Sequence, residues 1–326
     1  MKFEGQFLRE YLVQHIRDFF IALNYHETEI PVLAPMLPLE HGLDVLCAHA
    51  KHLDKDFYLI PYPESYIKQL IAQGMGNCFY ISKCIRELEN ISPTHNLEFH
   101  MLEWYEIGGD YKTIADTTEK LIKDWAKFIE AKTKIKCQYN LQQPFAHYTL
   151  KELFQKHANM DLSKNLTLET IRETAIKKGY NVDGVTDWEP IFSQIMFNEI
   201  ESKLDQSIPT MVFDFPTQIS ALCELCPDSP GFSQRFEIYI GGKEIGNAYT
   251  ESTKADELEQ HFKEELEFRT KNNLPIHPYD TKLIEATRNL PACGGMGLGV
   301  ERLAMTLGNY SQIGDVLYFP TCELVL

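Results

Sequence analysis

The chain has 326 residues, with 31 basic against 47 acidic side chains and a formal net charge of −16. That sign argues against a broad nucleic-acid surface, because phosphate backbones are held by Lys and Arg releasing condensed counterions. The 44% hydrophobic and 24% charged shares are those of a globular chain with a sizeable core. No apolar run reaches bilayer length and the N-terminus lacks a signal peptide's pattern, so a cytoplasmic protein without a membrane partner is expected.

Leu8, Leu12, Ile16, Phe19 and Leu23 recur at helical spacing and predict an amphipathic helix over residues 6–24. Glu29-Ile-Pro-Val-Leu33 reads as a short extended segment at a sheet edge, since Pro31 removes a ladder donor. Phe57–Ile60 predicts a strand ended by Pro61; a helix follows with Pro63 and Glu64 in its first turn and Gly74 at its end. Residues 78–85 and 99–107 are apolar and β-prone, joined by a long polar loop over 86–98.

Ile114, Leu121, Ile122, Trp125, Phe128 and Ile129 mark a helix over 112–131, and 149–205 reads as mostly helical. Arg235–Ile240 alternates as a half-buried strand, Gly241-Gly242 turns the chain, and Glu244–Thr250 returns as its partner. Thr253 and Asp256 have capping-box spacing before a helix to about 271. Gly295-Met-Gly-Leu-Gly-Val-Glu-Arg302 is a glycine-rich strand leading into a final helix. Eight cysteines are scattered through the chain and fit reduced thiols better than a disulfide scaffold; Cys223 and Cys226 are the one close pair, and zinc would require a second.

Three segments carry candidate chemistry. Arg86, Glu89, His95, Asn96 and Phe99 can together bind an anion, hydrogen-bond a base and stack on a ring; a solvated loop is the other reading. Glu237 and Glu244, seven residues apart across the two-glycine turn, can present paired oxygen ligands to Mg²⁺ or be exposed rim carboxylates. Glycines 295, 297 and 299 leave a bare strand face against which a flat ligand can lie, with Arg302 in the next helical turn, or they mark tight packing. The alternation is not the glycine fingerprint of a dinucleotide site.

Together these segments resemble the class II aminoacyl-tRNA synthetase catalytic core, in its lysyl-type branch. The first helix with Pro31 resembles motif 1, Ile85 to Tyr105 motif 2 and Gly295 to Arg302 motif 3, in the family's order. The resemblance implies an α+β fold, an antiparallel sheet flanked by helices, in a single catalytic domain over 1–326 with a mostly helical insertion at about 140–205. It also implies a homodimer through motif 1. By resemblance, Arg86 neutralises the α-phosphate of ATP, Phe99 and Arg302 sandwich adenine, and Glu89, His95, Asn96, Ile245 and Gly299 complete the ATP site. Glu237 and Glu244 hold Mg²⁺. Arg86 and Arg302 are then the catalytic pair.

For the amino acid, Glu64 resembles the residue that receives the amino group near the reacting carboxyl. Glu103, Tyr105 and Glu251 resemble the lysyl-type pocket for the distal ammonium, Asn247 the carboxylate contact, and Tyr62 stands where the family usually has a small residue. Leu88 occupies a place usually held by glutamate, which moves that role to Glu89. Motif 1 begins too close to the N-terminus for a preceding anticodon-binding barrel, so tRNA is not the expected acceptor. This architecture most resembles the truncated lysyl-type paralogs that attach (R)-β-lysine to a lysine of elongation factor P. The expectation is therefore ATP-dependent activation of lysine or (R)-β-lysine and transfer to that protein. The alternatives are a minimal tRNA-charging or other amide-forming adenylating enzyme, and a non-catalytic regulator.

Overall fold

The computed structural model describes residues 3–87, 92–133, 135–220 and 222–325. The chain opens with α1 (Glu4–Ala22), whose stripe of Leu8, Leu12, Ile16, Phe19 and Phe20 is buried. Short strands β1 (His26–Glu27), β2 (Leu33–Ala34), β3 (Cys47–Ala50) and β4 (Lys55–Leu59) precede α2 (Glu64–Ala72). Next come β5 (Cys78–Ile85), β6 (Glu98–Ile107) and α3 (Tyr111–Thr133). Then β7 (Ala146–Thr149) leads into α4 (Leu150–Ala158), α5 (Leu168–Lys177) and α6 (Trp188–Ile195). The remainder is β8 (Thr210–Pro216), β9 (Phe232–Ile240), β10 (Lys243–Thr250), α7 (Ala255–Lys271), α8 (Thr281–Thr287), β11 (Cys293–Gly299), α9 (Val300–Leu307) and α10 (Thr321–Leu324).

Eight strands form the main sheet in the order β1-β5-β6-β11-β10-β9-β8-β7. Its inner neighbours are all antiparallel, and the two edge strands pair parallel. The fold is thus α+β with an antiparallel-dominant sheet flanked by helices, as expected. Side chains alternate across a sheet. One face carries Leu102, Trp104, Phe236, Ile238, Ala248, Met296 and Leu298 into a core with α1, α3 and α9. Each fully buried large side chain there contributes about 1.5–3 kcal/mol.

The other face is polar near its centre. A second core, built from Leu153, Phe154, Ile191 and Phe192 with Val212 and Tyr239, seats α4 and α6 over the β8–β9 end of that face. The small sheet β2-β4-β3 and α2 share a third core with Tyr105 of β6. The polar face is therefore walled from two sides.

Two local expectations differ. Of the extended segment near Pro31, Leu33 and Ala34 join the ladder, opposite Leu59 and Tyr58. The capping box at Thr253 does not form: the helix begins one residue later, α7 is preceded by Lys254, whose side chain has no acceptor to cap with, and Ser252 Oγ accepts the Lys254 amide at 3.3 Å. Gly74 adopts φ +95° just beyond α2, a conformation an L-residue enters at a cost.

Candidate active site

Strand register builds the site. Glu103 of β6 lies opposite Gly297 of β11, Gly297 opposite Asn247 of β10, and Asn247 opposite Glu237 of β9. The adjacent row is Tyr105, Gly295, Tyr249 and Arg235. Directly paired residues share a face, so both rows present their side chains to the walled face across a strand of glycines. An alanine at 295 would bring its β-carbon to 2.5 Å from both Glu251 Oε1 and Tyr105 Cε1. That glycine is required by close approach.

Glu244 reaches the same face through an irregularity. It stands three positions before Asn247, an odd spacing that would put the two on opposite faces of a regular strand. The register shifts between Glu244 and Gly246, an extra residue that reverses the parity, and Glu244 pairs with Tyr239. Ile245 is the residue left over, and its side chain is buried in the core beneath the sheet. Its expected part in ATP binding is thereby confined to its backbone.

A cavity of about 690 Å³ opens over these rows, bounded by the loop 40–43, the first turn of α2, and the segment from α6 to Glu201. Tyr62, Glu64, Arg86, Glu103, Tyr105, Glu237, Glu244, Asn247 and Glu251, all expected site residues, line it. Phe99 and Arg302 stand beyond that lining. The Arg86 guanidinium lies 5.3 Å from the Phe99 ring centre, within cation–π range. Arg302 reaches from the first turn of α9 to the Glu244 carbonyl at 3.2 Å and the Thr94 carbonyl at 3.4 Å. Gly299 caps α9, and its bare face abuts the Arg302 stem.

His95 lies in the loop between β5 and β6, where its ring meets Ser92 Oγ at 2.8 Å. Asn96 is committed to the fold: its amide donates to the Glu98 carbonyl at 2.6 Å and accepts the Thr321 amide at 2.8 Å. Glu89 and Leu88 lie outside the described residues.

The acids at the α2 end have an internal counter-ion absent from the sequence reading. Lys68 is buried one turn after Glu64; its Nζ is 2.5 Å from Glu64 Oε1 and also pairs with Glu251 Oε2. The second Glu64 oxygen accepts the Tyr249 hydroxyl at 2.5 Å. Glu251 is 1% exposed, and its Oε1 has no hydrogen-bond partner among the described residues. Such an orphaned buried acceptor calls for a ligand donor. Burial pushes the Glu251 carboxyl up to about 8 despite the Lys68 charge, with Glu64 adding to the rise. Burial and then Glu64 raise Glu103 as well, whose oxygen accepts the Tyr105 hydroxyl at 3.1 Å. Lys68 stays a cation because the attraction of Glu251 and Glu64 outweighs its desolvation.

At the β9–β10 end, Glu237 accepts Arg235 Nη2 at 2.7 Å and the Tyr239 hydroxyl at 2.5 Å. Burial, opposed by Arg235 and reinforced by Glu244, raises it to about 7. Glu201, in the turn after α6, is raised by burial and by Glu244. This excess of negative charge fits a divalent cation. Among the described residues no three His, Cys, Asp or Glu side chains form a metal cage, and two carboxylates with the remaining oxygens from phosphate and water is the Mg²⁺ pattern. Cys223 is buried, lines the cavity and lacks a second cysteine pair beside Cys226.

Several of these groups were invisible in the sequence. Lys68 stands four residues after Glu64 on α2, a spacing that could have flagged it. Glu40 lies in a loop without periodicity. No helix among the described residues is long and apolar enough to cross a membrane.

Comparison with known proteins gives this geometry a context. The family model of class II tRNA synthetases (D, K and N) matches residues 6–323. The lysine–tRNA ligase of Tolumonas auensis is 30% identical over 325 residues, covering 96% of this chain and 62% of its own. That of Vibrio campbellii is 32% identical over 324 residues, with 96% and 63% covered. That of Carboxydothermus hydrogenoformans is 30% identical over 317, with 96% and 64% covered. The chain thus spans less than two thirds of the length of these relatives.

Proposed function

Because the chain belongs to the class II (D, K and N) tRNA synthetases, we propose that it is an ATP-dependent ligase that activates a lysine-type amino acid, lysine or (R)-β-lysine. The observation that carries this reading is the buried acid group Glu103 and Glu251 beside Tyr105, with Glu251 Oε1 unpartnered at the cavity wall. A desolvated ammonium needs such paired charge, and an amide or acidic side chain would leave it unmet. The names of the relatives, lysine–tRNA ligases, support the same amino-acid class.

The amino-acid carboxylate attacks the α-phosphorus, the bond to the bridging oxygen breaks, and pyrophosphate leaves. Arg86 offsets charge on the α-phosphate. Arg302 holds the nucleotide from α9, and Asn247 orients the carboxylate. Catalysis is by positioning and charge neutralisation, with no protein nucleophile. Glu237 and Glu244 would hold Mg²⁺, which when bound supplies charge neutralisation to the phosphates. An acceptor amine then attacks the adenylate carbonyl, loses a proton and expels AMP.

For the acceptor we propose a lysine of elongation factor P. The net charge of −16 favours a basic partner over a polyanion, while the relatives' names favour tRNA. Exposed Ile21, Val32 and Leu33 support pairing of two copies through the motif 1 region. The deciding experiment is amino-acid-dependent exchange of pyrophosphate into ATP with both lysine isomers and a panel of other amino acids, then transfer to elongation factor P or bulk tRNA. Exchange with a lysine-type substrate and label on the protein support the proposal; label on tRNA makes this a tRNA-charging enzyme. No exchange with any amino acid refutes ligase activity.

A further inference from the structure

The cavity carboxylates differ in what already neutralises them. Glu64, expected to meet the amino group near the reacting carboxyl, has one oxygen on Lys68 and the other on Tyr249. Glu251 shares that lysine and retains one open oxygen. Glu40 also lines the cavity, accepts the Tyr62 hydroxyl, and has no ion-pair partner among the described residues.

Its place is fixed from behind. Arg269, 1% exposed, donates through Nη2 to the carbonyls of Glu40 at 2.8 Å and Leu43 at 2.7 Å. The same guanidinium pairs with Asp44 and Glu265, each at 2.7 Å. The loop carrying Glu40 is therefore clamped in position. Arg86 sets which end of the cavity this is: its Nε lies 3.4 Å from the Pro61 carbonyl, one residue before the tyrosine that holds Glu40. Burial and the Glu64 charge raise the Glu40 carboxyl, and Arg86 and Lys68 only partly oppose this. Glu103, in contrast, is bonded by Tyr105 and Glu251 by Lys68.

We infer that Glu40 is a specificity residue, receiving the substrate ammonium nearest the reacting carboxylate while Glu64 acts through Lys68. This rests on the lysine-type reading above and names which acid reads the second amine. A diamino acid then spans the cavity with one cation at Glu40 and the other at Glu103 and Glu251. Tyr62, in place of a small residue, holds the Glu40 carboxylate at this end.

The test compares Glu40→Gln with the unmodified protein in pyrophosphate exchange, using the preferred lysine isomer, and measures 6-aminohexanoic acid as a competitive inhibitor because it keeps only the distal amine. Loss of one charge-assisted contact predicts a KM for the lysine-type substrate raised about tenfold or more. The KM for ATP and the inhibition constant of 6-aminohexanoic acid stay within about twofold, since neither ligand touches Glu40. An unchanged lysine-type KM, or equal weakening of 6-aminohexanoic acid, overturns the inference. Failure of the unmodified protein to exchange with either lysine isomer overturns the ligase reading instead. Should Glu40→Gln melt below the assay temperature, Tyr62→Phe must produce the same selective loss in smaller measure, and an equal effect on both ligands rejects the assignment.

Discussion

Arg9 Nε donates to Glu301 Oε1 at 2.7 Å, tying α1 to the helical turn that carries Arg302. Glu301 is 1% exposed and also accepts the His100 amide at 2.8 Å. Burial pushes its carboxyl up, but bonds and charge from His100 and the Arg9 charge prevail and hold it below the usual range. A depressed carboxyl stabilises the fold above its unfolded-state pKa, and that contribution is lost as pH falls through the folded value. Glu301→Gln should therefore lower unfolding free energy by about 3 kcal/mol at neutral pH. Urea denaturation should show the deficit shrinking on acidification below pH ~4.

Gly295→Ala should abolish lysine-type binding, because its β-carbon would meet Glu251 Oε1 and Tyr105 Cε1 at 2.5 Å. Both neighbours are buried and cannot retreat freely. Calorimetric titration should show lysine-type affinity lost with ATP affinity kept within about threefold. Equal loss of both would locate the amino-acid pocket elsewhere.

Lys68→Met leaves Glu64 and Glu251 without the cation they share. Removing one partner of a buried pair costs about 3–5 kcal/mol when the other stays charged. The acids can take protons instead, so the destabilisation should be smaller at low pH than at high pH. A pH-independent melting deficit would show that Lys68 acts through packing alone.

Binding of a diammonium substrate should release protons at pH 7. The empty site holds Glu251 up to about 8, so its carboxyl is mostly protonated there, and an arriving cation lowers that value. Titrations in buffers of different ionisation enthalpy count the protons, and affinity should rise between pH 6 and 8. Proton uptake would contradict the assignment of Glu251 to the ammonium.

Arg302→Ala should slow adenylate formation by about 100-fold or more, in line with loss of a preorganised charge-stabilising donor. The Arg9–Glu301 link is untouched, so denaturant midpoints should barely move. Normal pyrophosphate exchange would remove Arg302 from the catalytic group.

Much of the scaffold is legible because it depends on local periodicity. The stripe from Leu8 to Phe19 and the alternation after Arg235 each report a buried face without knowledge of what covers it. Glu103, Asn247 and Glu237 are legible as types, but their alignment across Gly297 depends on register among strands distant in sequence. Lys68 is harder still, since an ion pair four residues from Glu64 ordinarily lies on a solvated helix surface. It is buried because Glu251, from the end of β10, closes over α2. Glu40 gains meaning only through Arg269, more than two hundred residues later. Ile245 shows the reverse difficulty: its neighbours Glu244 and Asn247 suggest a site residue, and the bulge turns it into the core.

That bulge makes the strand a composite of two phases, with Glu244 in one and Asn247 and Tyr249 in the other. Deleting Ile245 would restore a single phase with Glu244 still opposite Tyr239 on the cavity side, and only the buried Ile245 side chain would leave the core. The bulge thus admits one more side chain to the core without moving Glu244 or Asn247 off the cavity face.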